Sequence, residues 1–273
     1  MSHRAAVLGT PIAHSLSPVL HNAGYAAAGL VEWAYTAVEC AEDELGDLIG
    51  LLGPEWAGLS LTMPLKEAAL SVADEVDPAA AAIGAANTLI RVPTGWRADN
   101  TDAPGMVDAL ASAGMTVASR VAILGAGGTA RAAIACAAAL RAADVRVYAR
   151  RRAAVAEMAP AAELLGTPVT HVDWAEADTC ADADLVISTV PKGVTDALRP
   201  AWRPGTVVFD VVYDPWPTPL TYRAAAAGCA IVSGLDLLLH QAARQFVMFT
   251  GVPAPLDAMR AALRAARPGS QRS

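Results

Sequence analysis

From Ser119 onward, short apolar runs alternate with longer stretches in which alanine and leucine recur at helical spacing. Residues 121–124, 145–149, 168–172, 185–189, 206–210 and 230–232 read as strands, with helices over 129–142 and 153–165. This alternation predicts parallel pairing through right-handed crossovers, and therefore an open doubly wound sheet. The first hundred residues alternate less cleanly. Strands are expected over 4–9, 33–38 and 59–61, helices over 18–28, 42–52 and 65–73, and a hairpin from 88–91 and 95–98. Helices over 236–249 and 256–266 close the pattern, and the tail from Arg267 is expected to fray. The fold class expected is α/β with two domains.

A length of 273 residues agrees with about two domains. Hydrophobic residues make up 54% and charged residues 17%, with an excess of alanine over long leucine runs. No segment approaches the roughly 20 consecutive apolar residues of a membrane span. The chain runs from Met1 directly into a strand-like stretch without the apolar core of an export signal, so a cytoplasmic location is expected. The net charge of -7 argues against nucleic acid as a partner. Cys40, Cys136, Cys180 and Cys229 are scattered without a C-x-x-C pair, as are the histidines, so no metal site is expected. Of 20 basic residues only Lys66 and Lys192 are lysine, and asparagine occurs only at 22, 87 and 100. A lysine kept in so arginine-biased a chain suggests a need for an ammonium, which can give up its proton where a guanidinium cannot.

Gly125-Ala126-Gly127-Gly128-Thr129-Ala130 follows a predicted strand and opens a predicted helix, matching G-x-G-x-x-A. The glycines allow a tight turn and close approach of a pyrophosphate, and the helix N-terminus presents free N–H groups to the anion. This context identifies the second domain as a Rossmann-type doubly wound parallel sheet. The next strand ends in Arg150-Arg151-Arg152, with no acid before Glu157. A carboxylate there would pair with a ribose 2′-hydroxyl, whereas guanidinium groups suit a 2′-phosphate, so NADP(H) is expected over NAD.

Four segments at element ends carry the remaining polar signal. His14-Ser15-Leu16-Ser17-Pro18 places two hydroxyls at a helix start, which suits a carboxylate; Ser17 as N-cap before Pro18 would also be ordinary capping. Leu61-Thr62-Met63-Pro64-Leu65-Lys66 carries the lysine of the N-terminal half. Gly84-Ala85-Ala86-Asn87-Thr88 and Asp99-Asn100-Thr101-Asp102 supply two asparagines and two acids.

These motifs, with Asp210–Pro215, Thr218–Leu220 and Gly234–Gln241, occur in the order of the shikimate dehydrogenase family, which the chain resembles almost from end to end. The resemblance implies a reversible, NADP-linked reduction of 3-dehydroshikimate to shikimate, in the route to chorismate and the aromatic amino acids. It implies that Ser15 and Ser17 hold the substrate carboxylate, that Ser60, Thr62, Asn87, Asp102 and Gln241 face its hydroxyls, and that Tyr213 lines the substrate side. Lys66 and Asp102 would form the catalytic pair. On the cofactor side it implies Gly125 to Ala130, Arg150, Arg151, Thr189 and Gly234, while Lys192 reads equally well as a surface lysine. It also implies a substrate domain of residues 1–102 with 238–273 and an NADP domain of 103–237, acting as a monomer or homodimer. Three positions depart from the family pattern: Ser60 replaces an asparagine, Leu237 a methionine, and Ala149 the asparagine before Arg150. A quinate or aminoshikimate dehydrogenase is the nearest rival reading. A non-catalytic NADP-responsive module is the rival of another class, which retention of both Lys66 and Asp102 disfavours.

Overall fold

The computed structural model describes residues 2–266; the tail expected to fray, from Arg267, lies outside the described residues. The chain divides into two compact units, one running to Thr101 and resuming at Leu238, the other Asp102–Leu237.

In the first unit the elements run β1 (His3–Gly9), α1 (Ser17–Ala27), β2 (Trp33–Glu39), a 3-10 turn at Glu42–Glu44, α2 (Leu45–Leu51), β3 (Trp56–Leu61), α3 (Ala69–Val72), β4 (Glu75–Val76), α4 (Pro78–Ile83), β5 (Thr88–Val92) and β6 (Gly95–Asp99). The sheet order is β2-β1-β3-β5-β6-β4. β1 pairs in parallel with β2 and β3, whereas the β5–β6 hairpin joins β3 antiparallel. Successive β1 side chains point to opposite faces. Ala6 and Leu8 join a cluster with Leu45, Leu59 and Leu65, while Ala5 and Val7 join one with Tyr25, Tyr35, Phe246 and Phe249. The second cluster explains why the chain end returns here: burying each phenylalanine stabilises by roughly 1.5–3 kcal/mol.

The second unit runs α5 (Asp102–Ser112), β7 (Arg120–Leu124), α6 (Gly128–Ala139), β8 (Asp144–Ala149), α7 (Arg152–Ala156), α8 (Ala159–Leu164), β9 (Val169–Asp173), a 3-10 stretch at Trp174–Asp182, β10 (Leu185–Ser188), β11 (Val207–Asp210), α9 (Pro219–Ala226) and β12 (Ala230–Ser233). The chain continues into α10 (Gly234–Thr250) and α11 (Leu256–Ala265). All pairs in this sheet are parallel, in the order β12-β11-β10-β7-β8-β9. Counted from β7, that is the dinucleotide-binding order 3-2-1-4-5-6 read from the other edge. β10 and β11 are buried at every position, as strands covered on both faces must be. The alanine excess has a use here: Ala130, Ala132, Ala133 and Ala137 of α6 are buried.

Several elements differ from expectation for identifiable reasons. The helix expected over 65–73 shrinks to α3, because the Lys66 carbonyl accepts from Ala86 N at 2.7 Å instead of from the next turn. The helix expected over 153–165 is two short ones. Pro160 lies in the first turn of α8 and has no N–H to continue α7. Helices α4, α5 and α9 lie outside the expected elements. α4 nevertheless carries clear signals: Asp77 accepts from Ala79 N, Pro78 follows, and Gly84 closes the helix in the left-handed region at φ 71°. Among the described residues no helix is long and apolar enough to cross a membrane.

His21 of α1 is completely buried and stacks on Tyr35, with centroids 4.1 Å apart and planes at 4°. Burial lowers its pKa from the ordinary 6.5 to about 3. Between those values the unfolded chain binds a proton on His21 that the folded chain refuses. Stability contributed by the neutral ring is therefore present above pH 6.5 and is lost as pH falls, by about 1.4 kcal/mol per pH unit at most. Urea titrations at pH 6.5 and at about pH 5 should show a larger loss of stability in the wild type than in His21→Phe, which keeps a stacking ring. An equal loss in both would mean that His21 ionises as easily folded as unfolded.

Candidate functional site

In the first unit the polar segments gather at the carboxyl ends of β1 and β3, where open α/β sheets bind ligands. Backbone hydrogen bonds knit them together. Thr62 N donates to Leu8 O at 2.9 Å, Thr10 N to Met63 O at 3.1 Å, and Leu61 N to Asn87 O at 2.7 Å. With the Ala86–Lys66 bond, the lysine and asparagine segments are held side by side. Lys66 and Thr62 are half-buried.

Asn87 is almost wholly buried and is pinned through its backbone and its side chain. Its N–H donates to Asp99 O at 3.1 Å, and its Oδ1 accepts from Thr101 N at 2.7 Å and Thr88 Oγ1 at 2.9 Å. Because a backbone N–H faces Oδ1, the opposite atom must be the nitrogen. Asn87 Nδ2 reaches Thr101 Oγ1 at 3.0 Å and Gln241 Oε1 at 3.4 Å, so Asn87 and Gln241 are brought together. Asn100 is used structurally, donating through Nδ2 to Ala85 O at 2.8 Å.

The serines of the first helix behave differently from the capping expectation. Helix α1 begins at Ser17 itself, and the Ser17 amide donates to Ser15 Oγ at 3.3 Å. Leu16 is the N-cap residue and no side chain caps the helix, Ser15 only accepting the Ser17 amide just outside it. Ser17 itself is buried, and burial pushes the phenol pKa of nearby Tyr35 well up. Ser60 belongs to a buried cluster. Its hydroxyl is 3% exposed, accepts from Tyr35 OH at 2.6 Å and directs its single proton to Gln245 Oε1 at 2.7 Å. A substrate hydroxyl would meet it as an acceptor, not as a donor. Tyr35, Thr88, Thr101 and Gln245 are polar residues of this cluster that the sequence reading left out of the site. Gln245 had one signal, lying four residues after Gln241 on the same face of α10.

In the second unit, Asp102 occupies the first turn of α5, where the positive end of the helix favours a carboxylate. The Gly125–Ala130 segment joins β7 to α6 beside β10, the point where strand order reverses. Gly125 has φ 107°, and a Cβ there would come within 2.7 Å of Thr189 Oγ1, so no other residue fits. Thr189 locks this turn by donating Oγ1 to Leu124 O at 2.9 Å. A Cβ on Gly127 would meet no protein atom within 4 Å, so protein packing does not demand a glycine there, but a ligand lying on the backbone would. Gly128 opens α6 and Ala130 is fully buried. A hollow of about 540 Å³ adjoins this turn, lined by Gly125, Tyr148, Arg150, Arg151, Trp174 and Pro191 among others. None of its lining residues is acidic, which fits a dinucleotide carrying a 2′-phosphate. Gly234 is explained by packing: a Cβ would overlap Val211 O. Tyr213 is half-buried, its pKa raised by burial and then by Asp214. Its loop is shaped by buried Asp210, which accepts from Val212 N at 3.1 Å and Thr218 Oγ1 at 2.9 Å.

One unit thus has the architecture and turn of a pyridine-dinucleotide-binding domain, and the other a rigid cluster of hydrogen-bonding groups at strand ends, as in a two-domain oxidoreductase. Residues 7–89 match the model of the shikimate dehydrogenase substrate binding domain, and residues 234–264 that of the shikimate 5'-dehydrogenase C-terminal domain. The chain is 40% identical to shikimate dehydrogenase (NADP(+)) of Anaeromyxobacter dehalogenans, over 95% of each. It superposes on the shikimate dehydrogenase of Mycobacterium tuberculosis with a TM-score of 0.85 at 44% identity, covering 96% of this chain and 99% of that one. The enzyme from Thermus thermophilus, solved in complex with NADP(H) and shikimate, matches with a TM-score of 0.83 at 33% identity, over 96% and 99%. The chain belongs to the shikimate dehydrogenase family.

Replacing Arg150 and Arg151 together by alanine should weaken binding of a 2′-phosphorylated dinucleotide about 10- to 100-fold, the loss of charge-assisted hydrogen bonds. NAD+ affinity should move by no more than about two-fold. Isothermal titration with both cofactors checks this, and parallel losses for the two would detach the arginines from the phosphate.

Proposed function

We propose that this chain catalyses the reversible, NADP-linked interconversion of shikimate and 3-dehydroshikimate, in aromatic amino acid biosynthesis. The observation that carries the reading is the glycine turn at the switch point of an all-parallel sheet, beside a hollow lined by Arg150 and Arg151, in a chain of this family. The unit of β7–β12 binds the cofactor and the unit of β1–β6 the substrate, in the cytoplasm and as a monomer or homodimer.

When bound, NADP(H) supplies the hydride donor or acceptor. The protein's part is to hold the alcohol carbon and to manage one proton. Ser15 and Ser17 take the substrate carboxylate at the start of α1, where the helix N-terminus adds to the hydroxyl donors. Thr62, Asn87 and Gln241 take ring hydroxyls, with Asn87 presenting its amide nitrogen as donor. Tyr213 contributes to the substrate side. In oxidation, Lys66 accepts the proton of the hydroxyl as its carbon loses hydride. In reduction, its ammonium returns that proton to the forming alkoxide. Asp102 is the second member of the catalytic pair in this reading.

Shikimate with NADP+ should produce an absorbance rise at the NADPH band, with quinate or NAD+ much poorer. Lys66→Ala and Asp102→Asn should each lower kcat by about 10²- to 10⁴-fold while leaving NADP+ affinity close to that of the wild type. Near wild-type turnover in either variant would remove it from the proton-transfer role.

A further inference from the structure

We infer that Gln245 is a positioning residue of Asn87: it holds the Asn87 main chain and the Thr88 hydroxyl behind it, so that the orientation set by the Thr101 amide is kept in place for a substrate. The inference rests on the reading of Asn87 as a shikimate ligand. Gln245 is completely buried. Its Nε2 lies 3.1 Å from the Asn87 carbonyl, which can only accept, so the amide orientation of Gln245 is determined. The other end, Oε1, must then receive the Ser60 hydroxyl proton at 2.7 Å, and Ser60, with its proton spent, must accept from Tyr35 OH at 2.6 Å. Gln245 Nε2 also donates to Thr88 Oγ1 at 2.9 Å, which turns the Thr88 proton toward Asn87 Oδ1, 2.9 Å away.

Every donor from Tyr35 to Asn87 therefore points the same way, and two backbone groups, the Asn87 carbonyl and the Thr101 amide, enforce the direction at its far end. Hydrogen bonds aligned in this manner polarise one another in a low-dielectric interior. The consequence is chemical: with Oδ1 taken by the Thr101 amide and Thr88, a ligand competing for Asn87 meets its Nδ2 side, where Gln241 Oε1 lies 3.4 Å away. A ligand atom there must carry a lone pair, as a hydroxyl oxygen does and an ammonium does not. Gln245 itself does not touch the ligand.

The test is a double-mutant cycle on the full chain, assayed with shikimate and NADP+. Gln245→Met, of similar length but without polar atoms, should lower kcat/KM for shikimate about 10-fold or more, with KM for NADP+ within about two-fold of wild type. In an Asn87→Ala background the same change should cost less than about two-fold, because its effect runs through Asn87. Equal losses in both backgrounds would overturn the inference, reducing Gln245 to general support of the fold. Should Gln245→Met fail to fold by circular dichroism, Thr88→Val and Thr88→Ser decide. Removing the relay hydroxyl should cost several-fold in kcat/KM and retaining it little, whereas matching behaviour of the pair would overturn the chain. A wild type inert toward shikimate but active on another alcohol would sink the functional reading instead, and the cycle would then be run with that alcohol.

Discussion

The Thr101 amide nitrogen donates to Asn87 Oδ1 across 2.7 Å, and much of the first unit's site follows from that contact. A buried amide cannot leave its polar atoms unmatched without a penalty of about 1–3 kcal/mol each. Once Oδ1 faces an N–H, the orientation of Asn87 is settled, and the neighbouring donors fall into line behind it. The site is a well-satisfied network before any ligand arrives, so the geometry presented to a substrate is set by the fold rather than assembled on binding.

The second unit solves a different problem with the same economy of means. A parallel sheet buried on both faces sends the right-handed crossovers of one half to one face and those of the other half to the opposite face, and where the direction reverses, the loops after β7 and β10 diverge. Gly125 and Thr189 come from those two loops and contact across the gap. Alanine-rich α6 packs closely on the sheet and brings its amino end to the turn, so the composition that looked merely biased is the means by which the helix approaches.

The second unit was largely legible in the sequence. Its central strands, β7, β10 and β11, carry apolar runs that need no knowledge of neighbours to recognise, and its glycine motif sits between a strand and a helix as the pattern required. The first unit was less so. The lysine segment has helical composition, yet Ala86 captures the Lys66 carbonyl and holds most of it in turns. Helix α4 is marked locally, by Asp77-Pro78 at its start and Gly84 at its end, but at six residues it is too short to show a helical period. The substrate-side residues were named through resemblance to the family. The structure ties Ser60 to Tyr35 and Gln245, a partnership that no local pattern announced.

By itself the sequence determined the α/β class, the dinucleotide turn, the basic patch after β8 and the family, because each depends on local periodicity or on residues close along the chain. The tertiary structure decided which carbonyl interrupts a helix and which polar side chains spend their protons on one another. The contacts behind those outcomes join residues distant along the chain, Lys66 to Ala86 in one case and Tyr35, Ser60 and Gln245 in the other. No local pattern records such a meeting, because it exists only once the strands have paired and α10 has returned to cover them.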